Sequence, residues 1–519
     1  MADHNEMDTT AVVDCDFLIV GAGSSGCVLA SRLVRQGLKV LLVEKGPADD
    51  RRLSKLVRRP SQSLAAAFSG DALSEVFFTV PQAGLDNRRL HAFRGRGGGG
   101  SSNVNAGLYC RGRCKDYEEN WPWKLEEIEA SFKSIESELT LEELPTTGTV
   151  APSCDRMLEE IGFKRPPPAE SGESDEPTWT REGLGGCAMK RTTTNGGERQ
   201  SAWSAFIKPV TTMPNLRIKD DATVSRVIIE GGRAVGIEVV ESSPSWRGVG
   251  TRVRQLRLAK DKAEIVLCCG VFRSPKLLML SGIGPRKHLE EKGVPAVLDM
   301  PHVGEHLHDH FIIPSINFSK LPMGEADYVE DSIHGQVYFS RELPAPSTGS
   351  GHSSSRADGG GEGDNVGTES TTNPRPSAVV GMLYVDGGGL ARTLHLGVGL
   401  LLTQRGLLWA VLRTVVMTLC RVATWCLPIT RILRNTRGAF LCVTTVQSRG
   451  TVRLSSADAA APPVIDPAYL SHPQDQQAAC AVWRTFRGQR ERLPRARPCL
   501  ATSCSLGKGT TTATMTRAF

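Results

Sequence analysis

The sequence predicts an α/β fold, α+β overall, centred on a Rossmann-like dinucleotide-binding domain, and three observations support this prediction. A short apolar run at residues 16–20 leads into a turn that contains Gly21 and Gly23. A helical segment, residues 25–36, leaves this turn. A second apolar run, residues 39–43, follows the helix. Strand, glycine turn, helix and strand in this order are typical of a dinucleotide-binding unit.

Each residue of this unit has a separate physical role. Gly21 allows the tight turn, Gly23 lets the backbone approach a pyrophosphate, and Gly26 lets the helix pack closely on the strand. The first turn of the helix supplies free N–H groups to the phosphates. Glu44, at the end of the second apolar run, can accept hydrogen bonds from a ribose diol. This pattern by itself fits NAD as well as FAD.

The length predicts two or three domains or one large two-lobed unit, and the composition gives most of the chain an enzyme-like surface. The 519 residues are 40% hydrophobic, which is enough for a sizeable core. The net charge of +6 comes from the segment after residue 475, and the rest of the chain is close to neutral, which argues against a nucleic-acid partner. The sequence shows neither a secretory signal nor a transit peptide, and its cysteines follow no disulfide framework. We therefore expect a cytoplasmic location.

Two further blocks carry chemistry. Residues 94–105 are rich in glycine and are followed at once by aromatic and charged residues, which is unlike a flexible linker. Consecutive glycines can place backbone N–H groups against a phosphate or an aromatic ring system. Residues 270–285 follow a buried-type strand and predict a helix that Ser274 caps and Pro275 opens.

These blocks resemble the two signatures of the glucose–methanol–choline (GMC) family of FAD-dependent oxidoreductases. The first block matches the family pattern Arg-Gly-x-x-x-Gly-Gly-Ser-Ser-x-x-Asn from Arg94 to Asn105. Further matches follow in the order of the family, and the resemblance extends over about residues 14–475. It implies an FAD-binding Rossmann-like domain interleaved with an antiparallel-sheet substrate domain.

The resemblance also implies which residues bind the cofactor. The ADP half of FAD would be held by Gly21, Gly23, Ser25, Gly26 and Glu44. The pyrophosphate and flavin would lie along Gly97, Gly99, Gly100, Ser101, Asn105, Ala106, Gly107 and Leu108. Val224 would contact the adenine through its backbone. Val104 stands nearest to the histidine that tethers FAD in some members, so non-covalent FAD is expected.

The implied activity is oxidation of a small-molecule alcohol at its CH–OH group, with hydride transfer to the flavin. Hydride leaves an alcohol readily only as alkoxide character develops, so a base must reach the hydroxyl proton. In this family that base is a histidine near the C-terminus. No histidine follows His472 in this chain, so no catalytic residue is assigned.

The family's C-terminal segment, of the type His-x-x-Gly-Thr followed by a strand and a helix, is not recognisable after residue 475, where the composition also changes, and both observations predict that the fold is C-terminally incomplete. Residues 476–519 would then be an atypical basic tail, and the alternative function is a truncated, inactive remnant that only binds FAD. The other predicted regions are a discontinuous FAD-binding region, residues 14–310, and a substrate-binding region, residues 311–475. The latter contains a disordered insertion at 345–377. The apolar segment 394–427 of this region hints at a lipophilic substrate. Two interpretations of the segment remain: a basic amphipathic helix that touches a membrane surface, and a partly buried helix, which is favoured.

Three other interpretations are weaker. His306, His308 and His310 would share one face of a strand and could bind a metal, but no acid or cysteine cluster completes a site, so no metal is predicted. A fatty-acid photodecarboxylase would need a cysteine near Thr444, whereas Cys442 lies two residues earlier. An NAD-dependent Rossmann dehydrogenase would not explain the glycine-rich block that begins at residue 94 or the helix-forming block at 270–285.

Overall fold

The structure is a computed structural model, which describes the following parts of the chain. The described residues are 9–48, 58, 74–105, 107–109, 111, 114–143, 190–192, 198–245, 248–318, 334–342, 377–384, 415, 436–443 and 445–490. Their strands are β1 (Thr9–Val13), β2 (Phe17–Val20), β3 (Val40–Val43), β4 (Ser74–Phe78), β5 (His91–Gly95), β6 (Leu108–Tyr109), β7 (Leu141–Glu143), β8 (Lys190–Thr192), β9 (Leu216–Lys219), β10 (Ala222–Glu230), β11 (Arg233–Ser245), β12 (Gly248–Leu258), β13 (Glu264–Leu267), β14 (Ile283–Gly284), β15 (Leu298–Asp299), β16 (Phe311–Phe318), β17 (His334–Glu342), β18 (Ser377–Tyr384), β19 (Thr436–Val443), β20 (Thr451–Arg453) and β21 (Val464–Asp466).

The α-helices of the described residues are α1 (Ser24–Arg35), α2 (Cys114–Asn120), α3 (Leu125–Glu136), α4 (Gly270–Leu280), α5 (Arg286–Glu291) and α6 (Pro473–Arg490). Short helical turns of other geometry occur at Gly100–Asn103 and Trp203–Ile207. Among the helices of this described part, none combines the length and the apolar character that crossing a bilayer requires.

A four-stranded parallel sheet with the order β13-β2-β3-β9 positions the predicted dinucleotide site. β2 lies inside this sheet and pairs in parallel with β13 on one side and with β3 on the other. β3 is buried at all four positions, as expected for a strand whose two faces are both covered. The carboxyl ends of β2 and β3 therefore meet at one edge of the sheet, where Gly21 and Glu44 follow.

Alternate residues of β2 and β3 face two different hydrophobic cores, because side chains alternate along a strand. Ile19 and Leu42 belong to the core that also contains residues of α1 and of the Trp203–Ile207 turn. Leu18 and Leu41 belong to the opposite core, which β10, β11 and β12 cover. Each of these side chains stabilises the fold by about 1.5–3 kcal/mol through burial. The result is a three-layer arrangement that confirms the predicted Rossmann-like domain.

The sheet that covers the second face has the order β1-β12-β11-β10. β10 and β11 form a hairpin whose turn residues, Gly231 and Gly232, have φ values of 57° and 77°. Two positive φ values are typical of the type I′ turn, which matches the twist of the two strands and which glycine adopts without strain.

A separate antiparallel sheet, with the order β16-β19-β18-β17, lies in the predicted substrate-binding region. β16 pairs with β19 from Phe311 opposite Val443 to Phe318 opposite Thr436. The predicted combination of a Rossmann-like domain with an antiparallel sheet is thereby confirmed. The predicted insertion at 345–377 lies outside the described residues except for Ser377, and the segment 394–427 lies outside them except for Val415.

Helix α6 is anchored at its first turn by the buried carboxylate of Asp475, which is 1% exposed. This carboxylate accepts hydrogen bonds from the backbone N–H groups of Gln447 and Ser448, both at 2.8 Å, and from the Ser448 hydroxyl. The small apolar residues Ala478 and Ala479 are also buried on α6. The helix therefore runs through the predicted boundary at residue 475 and packs on both sides of it.

Replacing Asp475 with alanine should lower the free energy of unfolding by about 2–5 kcal/mol, because a buried N–H group and a partly buried one lose their acceptor. Asp475→Asn keeps one acceptor oxygen, so its free energy of unfolding should fall by less than that of Asp475→Ala. The measurement is urea unfolding followed by tryptophan fluorescence. The control is Asp261→Ala, at an exposed turn position, which should stay within about 0.5 kcal/mol of the wild type. Equal stability of Asp475→Ala and the control would contradict the anchoring role.

Candidate functional site

The glycine turn after β2 is closed by contacts that only glycine permits. Gly21 has a φ of 102°, and its N–H donates to the Val43 carbonyl at 2.7 Å. A Cβ atom on Gly21 would lie 2.4 Å from the Cys268 carbonyl oxygen. A Cβ atom on Gly26 would lie 1.9 Å from the Gly21 oxygen. Both glycines are therefore required by the packing of the protein itself.

Gly23 differs from these two glycines, because a side chain at this position would not clash with the described protein atoms around it. Its φ of −75° and ψ of −168° are open to any residue, and an added Cβ would have its nearest protein neighbour 4.0 Å away, at the Cys268 oxygen. Gly23 lies directly before α1, whose first N–H groups have no partner within the helix. The space left at Gly23 is what a pyrophosphate needs in order to reach these N–H groups. Ser25, also predicted to contact the cofactor, lies in this first turn and is exposed.

Glu44 is buried, at 8% exposed, and joins three segments of backbone. One carboxylate oxygen accepts hydrogen bonds from the Gly46 N–H at 2.9 Å and the Gly97 N–H at 3.1 Å. The other oxygen accepts from the Ala22 N–H at 2.8 Å. An ionised carboxylate has about four acceptor positions, so one remains for a ribose hydroxyl. The sequence predicted the ribose contact but not these three bonds, because their donors are backbone groups.

The second glycine block lies against the first, at the same edge of the parallel sheet. Gly97, Gly99 and Gly100 have φ values of 89°, 99° and 54°. The Gly99 N–H donates to the Ala22 carbonyl at 2.8 Å. A Cβ on Gly100 would lie 2.8 Å from the Cα of Gly23. The structure thus brings the two predicted parts of the cofactor site into direct contact.

The segment after the second glycine block is held by Arg199. The Arg199 guanidinium donates to the Asn105 side-chain oxygen at 2.7 Å and to the Asn105 carbonyl at 2.6 Å. The same side-chain oxygen accepts from the Gly107 N–H at 3.0 Å. Arg199 was not predicted as a site residue, although it lies within residues 14–475, over which the resemblance extends.

Three other predicted cofactor residues remain. The Ser101 hydroxyl accepts a hydrogen bond from the Gly95 N–H at 3.2 Å. Leu108 begins β6, and Ala106 lies outside the described residues.

Val224 lies on β10, near the carboxyl end of β3. Ala222, two residues earlier on the same strand, donates its N–H to the Glu44 carbonyl at 3.0 Å. Val224 also packs against the core that contains Val43. Its predicted contact with adenine is therefore compatible with a ribose at Glu44.

Two cysteines next to the glycine turn are unreactive thiols. The Cys27 thiol donates to the Ala22 carbonyl at 3.2 Å, and the Cys269 thiol donates to the Val20 carbonyl at 3.3 Å. Burial raises the pKa of Cys27 and that of Cys269 to about 12 in each case. Neither thiol ionises near neutral pH, so neither is a nucleophile.

The histidines of the 301–310 segment do not form the strand that a shared metal-binding face would need. The segment consists of turns and one isolated bridge at Leu307. His306 has a φ of 59°, and its ring stacks on His302 at a centroid distance of 5.8 Å. His308 Nδ1 lies 3.1 Å from the His306 carbonyl. The alternation seen in the sequence therefore does not produce a common face.

His472, the last histidine of the chain, is exposed and caps a turn. Its Nδ1 atom accepts a hydrogen bond from the Gln474 N–H at 3.2 Å, in the first turn of α6. His472 thus makes a local contact at the start of this helix, and no catalytic role is assigned to it.

Two family models match the chain. The N-terminal model, described as GMC oxidoreductase, matches residues 15–312, which is more than half of the chain. The C-terminal model, also described as GMC oxidoreductase, matches residues 446–515. The first match covers every residue that was predicted to contact FAD.

Curated relatives share about a third of their residues with the matched part. Human mitochondrial choline dehydrogenase is 34% identical over 320 residues, which cover 57% of this chain and 50% of that protein. The alcohol dehydrogenase [acceptor] of Pseudomonas putida is 32% identical over 325 residues, which cover 60% of this chain and 56% of that protein. The chain thus spans about half the length of the curated relatives that it matches.

Solved structures support the fold. Pyridoxine 4-oxidase from Mesorbium loti aligns with a TM-score of 0.66 and 22% identity, over 97% of this chain and 86% of that chain. A fungal aryl-alcohol oxidase aligns with a TM-score of 0.56 and 18% identity, over 92% of this chain and 82% of that chain. At these identities the similarity concerns the fold alone.

The C-terminal match shows that one prediction was wrong: the C-terminal segment of the family is not missing. The prediction of a C-terminally incomplete fold rested on the unrecognised family motifs and the basic composition after residue 475, yet the match runs from 446 to 515. Helix α6 gives the physical reason. It buries Ala478, Ala479 and Val482 while Arg484 stays exposed, so a basic composition is compatible with a packed helix. The truncation that the alternative function assumed is therefore not supported.

Gly23→Ala and Gly26→Ala should separate ligand contact from protein packing. Gly23→Ala should leave the melting temperature of the apoprotein unchanged or slightly higher, because its backbone suits alanine and nothing in the protein is displaced. It should weaken FAD binding at least about tenfold, because the methyl group occupies the space of the pyrophosphate. Gly26→Ala should destabilise the apoprotein by about 1–3 kcal/mol or more, because of its clash with the Gly21 oxygen.

The measurements are differential scanning fluorimetry of the apoproteins and titration of FAD by fluorescence quenching. A Gly23→Ala apoprotein that is stable and binds FAD as tightly as the wild type would show that the pyrophosphate lies elsewhere.

Proposed function

Because the chain belongs to the GMC oxidoreductase family, we propose that it is an FAD-dependent oxidoreductase that acts on the CH–OH group of a small alcohol. The observation that carries the proposal is the assembly of both glycine blocks around the carboxylate of Glu44. Choline dehydrogenase and alcohol dehydrogenase among the relatives support the CH–OH donor class.

The cofactor is FAD, and the edge of the parallel sheet where Glu44 joins the two glycine blocks, here called the crevice, fits it. The space beside Gly23 and the free N–H groups of α1 suit the pyrophosphate, and the remaining acceptor position of Glu44 suits the ribose. The left-handed conformations of Gly97, Gly99 and Gly100 let this backbone lie against the first glycine turn without side chains. These residues would bind and orient the cofactor.

The bound flavin would supply the hydride acceptor, which no side chain of a protein can provide. The chain's own residues at this edge of the parallel sheet would hold the ADP half of the cofactor, and the second glycine block, which contacts Ala22 and Glu44, would continue from there toward the flavin. Buried hydrophobic cores lie on both faces of the sheet beneath Gly21 and Glu44. A cofactor held at such a packed edge would lose orientational freedom, and a fixed orientation of donor and acceptor favours transfer.

FAD is non-covalent in this proposal. Val104 stands where some family members carry the tethering histidine, and an aliphatic side chain cannot form such a bond. Val104 is 7% exposed and ends the helical turn Gly100–Asn103, so it is part of the packing of the glycine block.

A lipophilic alcohol is the substrate class that we favour. The support is the apolar character of residues 394–427 in the substrate-binding region. Short and long primary alcohols therefore belong in the same assay, and the ratio of their rates decides the point.

The purified chain should show flavin absorption bands, and an alcohol that carries a C–H bond on its hydroxyl carbon should bleach them without oxygen. The measurement is an anaerobic titration with primary and secondary alcohols, choline included. The matched control is tert-butanol, which has a hydroxyl group but no hydrogen on that carbon and should leave the spectrum unchanged. Dithionite should bleach the flavin in both cases. A flavin that dithionite reduces but none of the alcohols does would contradict the proposed CH–OH activity while leaving FAD binding intact.

Acid precipitation should release all of the flavin into the supernatant, because Val104 offers no atom for a covalent bond. The released cofactor should co-migrate with FAD in reversed-phase chromatography. Flavin absorption that remains with the precipitated protein would show that another residue forms a covalent link.

A further inference from the structure

Three charged side chains form a half-buried cluster next to the predicted cofactor site. The Glu75 carboxylate accepts hydrogen bonds from Arg273 through both of its oxygens, at 2.6 Å and 2.5 Å. It also forms an ion pair with Lys45. The side chains of Lys45, Glu75 and Arg273 are 31%, 15% and 27% exposed. We call these three residues the ion triad.

The ion triad spans the carboxyl end of β2. Lys45 follows β3, and Arg273 lies in the first turn of α4, which follows β13. In the sheet, β13 and β3 flank β2 on opposite sides, so their ends are about 10 Å apart at the usual strand spacing. Glu75 contacts both cations and therefore lies across the end of the strand that carries the glycine turn.

Glu75 is brought to this place by the hairpin of β4 and β5. The hairpin packs on the start of α4 through Phe77, whose ring meets Phe272 edge-to-face at 5.6 Å. The Arg94 guanidinium lies over the same Phe272 ring at 4.3 Å. These contacts leave Glu75 little freedom, so its position over the end of β2 is a fixed feature of the fold.

The charges within the ion triad compensate one another only in part. Burial by itself would raise the pKa of Glu75, but the charges of Arg273 and Lys45 outweigh burial and hold the pKa below its ordinary value. Burial, together with the charge of Arg273, lowers the pKa of Lys45. Glu75 is thus ionised at neutral pH, and two half-buried cations share this one carboxylate.

The ion triad lies nearer to one end of the predicted dinucleotide than to the other. Lys45 directly follows Glu44, the predicted ribose ligand, and the next residue, Gly46, donates to the Glu44 carboxylate. The flavin end is expected along the segment that ends at Leu108, on the far side of the second glycine block. The nearest part of the cofactor to the ion triad is therefore its adenosine diphosphate half.

We propose that the ion triad is a clamp that positions the adenosine end of FAD, with Glu75 holding Lys45 and α4 at fixed places on either side of the glycine turn. This inference rests on FAD being the cofactor. Glu75 is a positioning residue, because it acts through Lys45 and Arg273. The contacts described above for the glycine turn come from β3, the Glu44 carboxylate, α1, the second glycine block and Cys268, and none of them comes from the ion triad.

Glu75→Gln should weaken the binding of FAD and of ADP by the same factor, about tenfold, because the two cations lose the charge that holds them. The binding of FMN, which lacks the adenosine, should not change. If Glu75 acted only through its charge at a distance, Glu75→Gln would instead bind ADP more tightly, since removing a negative charge favours the binding of a diphosphate. The measurements are isothermal titration calorimetry for ADP and fluorescence quenching for FAD and FMN, all with apoprotein.

Lys45→Met is the second variant, in case Glu75→Gln does not fold. It removes one arm of the clamp and leaves Glu75 paired with Arg273 through two hydrogen bonds, so no buried carboxylate is left unpaired. Lys45→Met should weaken the binding of FAD and of ADP but not the binding of FMN. Lys45→Arg should keep most of the wild-type affinity for FAD and ADP. The matched control is Glu230→Gln, which breaks the exposed Glu230–Arg257 ion pair of the β10–β12 sheet and should change none of the three affinities.

The wild type is measured first. Absence of FAD binding by the wild type would overturn the proposed function. Tight FAD binding by the wild type, with unchanged or tighter ADP binding by Lys45→Met and by any folded Glu75→Gln protein, would overturn the clamp alone. A lower melting temperature with unchanged affinities would also overturn it, because the ion triad would then serve only stability.

Discussion

The carboxylate of Glu44 is the group on which the arrangement of the site depends. It accepts backbone N–H groups from Ala22 in the first glycine turn, from Gly46 in its own loop and from Gly97 in the second glycine block. These donors come from three different segments of the chain. Each of these N–H groups would lose its partner if the carboxylate were removed, and an unsatisfied buried donor costs about 1–3 kcal/mol. The group proposed to bind the ribose is therefore also the group that holds the crevice together.

This double role explains why the glycine residues are so concentrated at one edge of the sheet. Backbone atoms must approach the carboxylate and each other closely, and side chains would keep them apart. The contacts of Gly21 and Gly26 show glycines required by the protein, whereas a Cβ on Gly23 would come no closer than 4.0 Å to the described protein atoms around it. Packing therefore requires glycine at Gly21 and Gly26, and Gly23 is the glycine proposed to face the pyrophosphate.

The position of β2 inside the parallel sheet has a further consequence. The strands on both sides of it end at the same edge, so residues that follow β3 and β13 stand on opposite sides of the glycine turn. Lys45 and Arg273 occupy these two places, and Glu75 joins them. An interaction of this kind needs a third segment, the β4–β5 hairpin, to supply the central charge.

The sequence by itself determined the local part of this protein. The order of strand, turn, helix and acid around Gly21 and Glu44 could be predicted because each signal lies within a short segment, where spacing reflects geometry directly. The family resemblance added the second glycine block. Composition was a poor guide at α6, where a basic sequence belongs to a packed helix.

Only the tertiary structure decided which distant segments meet. Arg199 holds Asn105 from 94 positions away, and Asp475 holds Ser448 from the start of the last described helix. Glu75 reaches Arg273 across 198 positions. No periodicity or spacing encodes such pairs, because they depend on the path of the whole chain rather than on the geometry of one element. The sequence therefore predicted the groups that would meet a dinucleotide, and the packing of remote segments decided what holds those groups in place.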